Sequence, residues 1–580
     1  MRQLLSGHGA SRGNALGRAR VRHPHALEVA EERIPAEAVD AEIERMHEAI
    51  ALVQAEMQAM RQRLHGALAQ EIGEFIDMHA LLLDDPELLQ GLDQLIRQAR
   101  FSADYALRLQ RDRLAGVFEA MDDPYLRSRI DDIDHVIGRL HAALHRRDAD
   151  LQGVAGEILV ADNVAPSELV QLQAQGVMAI VTAAGSTLSH SAILARSMHL
   201  PLVVGAAQAL HAINDGDVLV VDGASGLLVV EPNADDLRAY RNRLREEKRE
   251  RKQLYRLRRE PSRTLDGVDI KLFANAESRE DVAEAHALGA AGVGLYRTEF
   301  LFLQRSELPD EEEQFRAYRD VAIGMTGRAV TIRTLDVGAD KADRTGLALT
   351  NEPNPALGLR GVRLSLARQD VFETQLRAIL RASGYGPVRI LVPMITNREE
   401  MLAVKRLIKR VTADLRSEGH EIGENIPLGA MIEVPAAAIA LPSIIGTVDF
   451  ISVGTNDLVQ YLLATDRGNE ALGDLHTPLH PAVLRLLFEV IRTAKRRGKP
   501  VAVCGEMAGD PLFTPLLLAL GLEEFSLHPG TLLEVRRAIR ANDLAALRGN
   551  ARALLRARDR DAIEDWLRKV SSGGIAAAGH

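Results

Sequence analysis

The sequence predicts a multidomain α/β protein: a small α/β domain carrying an inserted all-α domain, followed by a (β/α)8 TIM barrel. Three patterns predict it. Strand-like segments flank a helical block in the N-terminal part, a charge-dense helical stretch follows, and eight apolar strands then alternate with helical segments. At 580 residues the chain exceeds what one hydrophobic core organises. An apolar fraction of 46% and a charged fraction of 26% are those of a globular protein that folds in water. A formal net charge of −10 offers no wholesale neutralisation of phosphates, which argues against a nucleic-acid partner. The single cysteine, Cys504, leaves no internal disulfide framework and suits a reducing compartment. No leader pattern and no membrane-length apolar run is read, so a cytoplasmic protein without direct membrane insertion is expected.

Residues 2–24 read as short strands with turns at Gly7, Gly9, Gly13 and Gly17. From around Ala36 the period becomes helical. Ile43, Met46, Ile50, Val53, Met57, Met60 and Leu64 recur at spacings of three and four, a seam that packs against other helices. Further helices are expected over Leu68–Leu83, Pro86–Arg97, Ser102–Met121 and Pro124–His145. Strand signals return at Glu157–Ala161, Val177–Val181 and Leu202–Val204, then in a hairpin from Asp217 to Val230 turning at Gly223-Ala224-Ser225-Gly226. The helical block, 25–145, therefore reads as an insertion into one α/β domain made of 1–24 plus 146–232. A solvated linker helix is expected within 233–262 and the barrel within 263–570. The barrel strands read as Ile270–Ala274, Gly292–Tyr296, Ala329–Arg333, Arg389–Met394, Leu428–Val434, Phe450–Gly454, Val501–Gly505 and Glu524–His528. The small-residue tail, 571–580, is expected to be disordered.

Two places carry chemistry. In Gly185-Ser186-Thr187-Leu188-Ser189-His190-Ser191, a strand runs through a glycine turn into a helix, placing His190 at the helix N-terminus. Unpaired N–H groups there favour an anion, and an imidazole beside them can act as a phosphoryl-carrying nucleophile. The plainer alternative is a capping loop whose histidine only hydrogen-bonds. The second place is the barrel mouth, where the strand ends are unusually polar: Arg297 with Thr298-Glu299, Arg333 with Asp336 and Lys341, Arg360 and Arg363, Glu433, Asn456-Asp457 with Arg467, then Cys504 and Glu506. Singly these are ordinary rim charges. Converging from different strands, the arginines suit a substrate bearing phosphate and carboxylate, and the paired carboxylates suit Mg²⁺.

The segments Gly292-Val293-Gly294-Leu295-Tyr296-Arg297-Thr298-Glu299-Phe300-Leu301-Phe302 and Asp449-Phe450-Ile451-Ser452-Val453-Gly454-Thr455-Asn456-Asp457-Leu458, with the His190 stretch, resemble signatures of the phosphoenolpyruvate-utilising enzymes. The likeness is to their Enzyme I branch, the phosphoenolpyruvate–protein phosphotransferases of the bacterial phosphotransferase system, and it covers almost the whole chain, including Asp122-Asp123-Pro124-Tyr125-Leu126. The resemblance implies that the first domain is a swivelling phosphohistidine domain with His190 as the phosphorylated residue. It implies Glu433 and Asp457 as Mg²⁺ ligands, and Arg297, Arg333, Asn456 and Arg467 as phosphoenolpyruvate-binding groups, with Lys341 and Arg360 beside them. Cys504 matches the residue that protonates enolpyruvate. The inserted helices match the docking site of the phosphocarrier protein HPr, where Glu71, Glu74, Asp77, Asp84 and Asp85 would face a basic partner. A homodimer through the barrel is implied in the same way, as is a role at the first step of sugar uptake. One departure stands out. The family motif reads Gly-Gly-Arg-Thr-Ser-His, whereas Gly185-Ser186-Thr187-Leu188-Ser189-His190 lacks its basic residue, so a phosphohistidine here would rest on backbone donors and Arg196. Two alternatives are a dikinase or synthase of the same superfamily, which would carry a nucleotide-grasping domain, and a regulatory paralogue without catalysis.

Overall fold

The structure is a computed structural model, and it describes residues 2–22, 31–63, 76, 79–119, 129–145, 154–164, 166–187, 189–198, 200–303, 307–338, 347, 352, 354–466, 472 and 475–571. It divides into two compact units, Met1–Lys248 and Arg249–His580.

In the first unit, β1 (Gln3–Ser6), β2 (His8–Ser11) and β3 (Asn14–Arg22) precede the helices, and β4 (Glu157–Ala161), β5 (Ala179–Thr182), β6 (Leu202–Val204), β7 (Val218–Asp222) and β8 (Leu227–Val230) follow them. All eight join one sheet in the order β1-β8-β7-β3-β4-β5-β6-β2. β3 pairs in parallel with β4, Arg18 opposite Glu157, so the strand before the helical block lies beside the strand after it. This is the signature of an insertion. The β3–β6 strands are parallel, while the rest of the sheet is closed by antiparallel pairs, including the β7–β8 hairpin.

The block itself contains α1 (Val39–Arg63), α2 (Pro86–Arg97), α3 (Ala103–Glu119) and α4 (Arg129–Leu144). The seam of α1 is buried at Ile43, Met46, Ile50, Val53 and Met57, all at 6% exposure or less. Side chains at three-and-four spacing stack on one helix face, which is why they meet one core. That core is continuous with one face of the sheet, through Leu159, Ile180 and Leu202. Ile158, Val160, Val181 and Val221 fill the other face, the alternation a sheet covered on both sides requires. α5 (His190–Ser197) follows β5, and α6 (Ala234–Arg256) spans most of the stretch read as a linker, where the division between the two units also falls.

The second unit is a closed barrel of eight parallel strands: β9 (Lys271–Ala276), β10 (Val293–Tyr296), β11 (Val330–Arg333), β12 (Val388–Val392), β13 (Leu428–Ile432), β14 (Phe450–Val453), β15 (Val501–Val503) and β16 (Glu524–Leu527). All eight segments expected from sequence are strands. The chief differences lie at the ends. β12 stops at Val392 rather than Met394, because Pro393 donates no N–H and Met394 turns into the left-handed region with φ 58°. Leu295, Leu391, Met431, Phe450 and Cys504 pack together as a separate small core. α7 (Thr455–Leu463) and α8 (Leu544–Leu555) are two of the surrounding helices.

Candidate active site

In the first unit, His190 is the first residue of α5, as the strand–turn–helix pattern predicts. The turn needs Gly185, whose φ of 97° an L side chain rarely adopts. Ser189 caps the helix by accepting a hydrogen bond from the Ala192 N–H, and Ser191 Oγ donates to the Val164 carbonyl at 2.7 Å. The His190 side chain lies outside the described set, as does Leu188.

At the barrel mouth, position along each strand decides which side chains converge. Arg333 is the last residue of β11, while Arg297, Glu433 and Cys504 each directly follow a strand, and Asn456 and Asp457 open the first turn of α7. Asp336 is the organising carboxylate. Arg360 donates to both its oxygens, Nε to Oδ1 at 3.2 Å and Nη2 to Oδ2 at 3.1 Å, a bidentate pair. Arg333 Nη1 lies 3.3 Å from Asp336 Oδ2, and its Nη2 donates to Glu299 Oε1 at 3.0 Å. Glu299 Oε1 also accepts the Asp336 N–H at 3.1 Å. Arg360 Nη2 reaches to 3.6 Å from Asp457 Oδ2, and its Nη1 donates to the Tyr461 hydroxyl at 3.2 Å.

This places a buried guanidinium group, that of Arg333, and a partly buried one, that of Arg360, among carboxylates. Burial works against both charges, but Glu299, Asp336 and Glu433 around Arg333, and Asp336 and Asp457 around Arg360, hold them firmly cationic. Arg333 nonetheless keeps a buried Nε with no hydrogen-bond partner among the described residues. An unpaired buried donor costs free energy, and an anionic ligand would satisfy it.

Glu433 is nearly inaccessible, at 1% exposure. Its Oε1 accepts the Met394 N–H at 2.6 Å, which explains why Met394 is held in the left-handed region. Burial, then repulsion from Asp336 and Asp457, pushes its carboxyl well above the usual carboxylate range. Carboxylate oxygens of Asp336, Glu433 and Asp457 lie within 4.8 Å of one another. Three crowded carboxylates, one of them resisting ionisation, are a donor set that fits a hard divalent cation such as Mg²⁺. The residues present therefore fit the metal.

Cys504 is buried, with Sγ 3.4 Å from the Val453 carbonyl and its own carbonyl accepting from Asn275 Nδ2 at 3.1 Å. Burial pushes its thiol up to about 11, so it stays protonated at neutral pH. Asn456 and Glu506 exchange hydrogen bonds: Asn456 Nδ2 donates to Glu506 Oε1 at 3.0 Å, and the Glu506 N–H donates to Asn456 Oδ1 at 2.9 Å. Arg297, 43% exposed at its side chain, donates to Glu277.

Residues 251–544 match the family model "PEP-utilising enzyme, PEP-binding domain", 6–129 match "PEP-utilising enzyme, N-terminal" and 153–226 match "PEP-utilising enzyme, mobile domain". The chain belongs to the PEP-utilising enzyme family. A relative in Cupriavidus necator, called phosphoenolpyruvate-protein phosphotransferase, is 45% identical over 92% of this chain and 94% of its own length. Relatives of the same name in Geobacillus stearothermophilus (40% identical, 93% of each chain) and Staphylococcus epidermidis (38% identical, 95% of this chain and 97% of the relative) match as widely.

Of the residues expected from sequence, the structure gathers Arg333, Arg360, Glu433 and Asp457 into one linked cluster, and places Arg297, Asn456 and Cys504 at neighbouring strand ends. Lys341, Arg467, Glu71, Glu74 and Asp77 lie outside the described residues. Asp84 and Asp85 are exposed, and Asp85 caps α2 by accepting the Glu87 N–H at 2.7 Å. The polar strand ends already name Glu299 and Asp336 without giving either a partner, whereas nothing in the sequence singles out Met394 and Tyr461 as members of the site.

Proposed function

We propose that this chain transfers the phosphoryl group of phosphoenolpyruvate to its own His190, releasing pyruvate, and passes it on to a histidine of the phosphocarrier protein HPr. The observation that carries this reading is the cluster of Arg333 and Arg360 against Asp336, Glu433 and Asp457 at the strand ends. It offers cations to a substrate with phosphate and carboxylate, beside an oxygen-only cation site. Relatives named phosphoenolpyruvate-protein phosphotransferase support the same chemistry.

Glu433 and Asp457 would hold Mg²⁺, with Asp336 beside them, and the ion would neutralise charge shared between substrate phosphate and carboxylate. Arg333 and Arg297, with Arg467, Asn456, Lys341 and Arg360, bind and orient the substrate. His190 attacks phosphorus in line as the bond to the enol oxygen breaks. The transition state spreads negative charge over the phosphoryl oxygens, where fixed guanidinium groups stabilise it. The departing enolpyruvate takes a proton on carbon from the Cys504 thiol, which burial keeps protonated. With α6 as the hinge, the unit carrying phospho-His190 then leaves the barrel and passes the group to HPr docked on the inserted helices, and the product would feed sugar uptake. Self-association through the barrel belongs to the same reading.

Incubation with ³²P-labelled phosphoenolpyruvate tests the proposal. An acid-labile, base-stable label is expected in the wild type with Mg²⁺, lost with chelator and in His190→Ala, and chased onto added HPr. Labelling retained by His190→Ala would remove the nucleophile assignment.

A further inference from the structure

Away from the barrel, the inserted helices hold a second group of ligand-type side chains. His141, in the last turn of α4, and His145, directly after it, are four residues apart and so share one helix face. Asp104, in the first turn of α3, lies opposite them. Asp104 Oδ1 is 3.0 Å from His145 Nε2 and 3.7 Å from His141 Nε2, and the three donor atoms lie within 4.8 Å of one another. The two imidazole rings meet edge to face, with centroids 4.6 Å apart.

An ordinary histidine–aspartate ion pair does not account for this arrangement. Asp104 Oδ1 is buried and has no hydrogen-bond partner among the described residues, although an imidazole nitrogen lies 3.0 Å from it, so that nitrogen is not aligned to donate. The other oxygen is anchored: Arg45 Nη2 donates to Asp104 Oδ2 at 2.8 Å, and Arg45 is in turn held by Glu42. One carboxylate oxygen is thus oriented by a second-layer cation while its twin faces two imidazoles, as in carboxylate–histidine metal centres. Around a tetrahedral ion with bonds of 2.0–2.1 Å, neighbouring donors sit about 3.3 Å apart. The observed 3.0 and 3.7 Å bracket that spacing. Side-chain exposure rises from 13% at Asp104 through 19% at His141 to 37% at His145, so the cluster opens to solvent on its His145 side, where water can serve as a fourth ligand.

We propose that Asp104, His141 and His145 form a binding site for a divalent transition-metal ion, Zn²⁺ or a close analogue, that ties the start of α3 to the end of α4. Two imidazole nitrogens select such ions over Mg²⁺ and Ca²⁺, which separates this site chemically from the all-oxygen cluster at the barrel mouth. The bound ion clamps two antiparallel helices of the insert and stabilises the folded state by mass action.

Co²⁺ titration of the untagged full chain in excess Mg²⁺ tests this, because excess Mg²⁺ occupies the carboxylate cluster and tetrahedral Co²⁺ absorbs visibly. The wild type is expected to bind one equivalent with a tetrahedral spectrum and to gain thermal stability with Zn²⁺. His145→Gln, an exposed change that leaves the helices packed, and His141→Ala should both lose that equivalent and the Zn²⁺-induced shift while keeping the metal-free Tm. Arg45→Ala should keep the spectrum but weaken affinity roughly 10–100-fold. Equal Co²⁺ uptake and equal Zn²⁺ shift in the wild type and His145→Gln would overturn the proposal, as would no tetrahedral band in the wild type.

Discussion

Asp336 shows how one carboxylate sets the geometry of a whole pocket: it holds Arg360 through two hydrogen bonds and Arg333 through a 3.3 Å ion pair, while Glu299 fixes its own backbone. Asp336→Asn keeps the shape but removes the charge that both guanidinium groups lean on. We expect kcat/KM for phosphoenolpyruvate to fall roughly 100-fold, the usual loss for groups displaced by an ångström, with circular dichroism unchanged. Steady-state pyruvate release measures it. Cys504→Ser tests the proton donor. A serine hydroxyl is a far weaker acid than a thiol, so pyruvate formation should slow by about 10²–10⁴ in a lactate-dehydrogenase-coupled assay. A wild-type rate would exclude Cys504 from the proton step.

At the scale of elements, the site depends on where strands stop. Pro393 ends β12 and lets Met394 turn its N–H onto Glu433, and the chain near Gly361 comes close enough to lock that turn. Gly361 has φ 57° and ψ −133°, and a Cβ there would meet Met394 Cβ and Cγ at 2.7 Å. Gly361→Ala therefore adds both backbone strain and overlap. We expect it to destabilise the second unit by about 1–3 kcal/mol and to raise KM for phosphoenolpyruvate. Urea unfolding followed by the fluorescence of Trp566, the sole tryptophan and 6% exposed in the barrel-unit core, reads the stability term. An unaltered midpoint would show that this contact relaxes without cost.

At the scale of the molecule, each unit carries its own core, and the barrel unit ties its two chain ends together through a carboxylate that answers to acid. Asp266 ties the start of the barrel unit to its C-terminal helices by accepting the Leu544 and Ala545 N–H groups at 3.0 and 3.1 Å, at the first turn of α8. Desolvation opposes its ionisation, but the Thr264 hydroxyl and those two amides outweigh it and hold its carboxyl below the ordinary value. The sign follows. The stabilisation is complete above the unfolded carboxylate pKa near ~3.9 and is lost as pH falls through the lower folded value. Asp266→Asn should thus flatten the acid limb of Trp566-monitored stability while the wild type loses stability below about pH 4. Parallel curves would refute this role.

Much of this was legible in the chain itself, because apolar spacing is a local property. The three-and-four seam of α1, the limits of α2 at Pro86 and Arg97, all eight barrel strands and the insertion between β3 and β4 follow from period, proline and turn chemistry. Strand ends point to one mouth in a closed parallel barrel, so Arg333, Glu433, Asp457 and Cys504 could be singled out from sequence alone. What needed the tertiary structure was pairing between residues far apart in sequence: Asp336 with Arg360, Met394 with Glu433, and Asp104 with His141 and His145. No periodicity encodes such partnerships. They arise when separate elements pack and strip water from charges that then settle on the nearest opposite group, and only that packing decides which one it is.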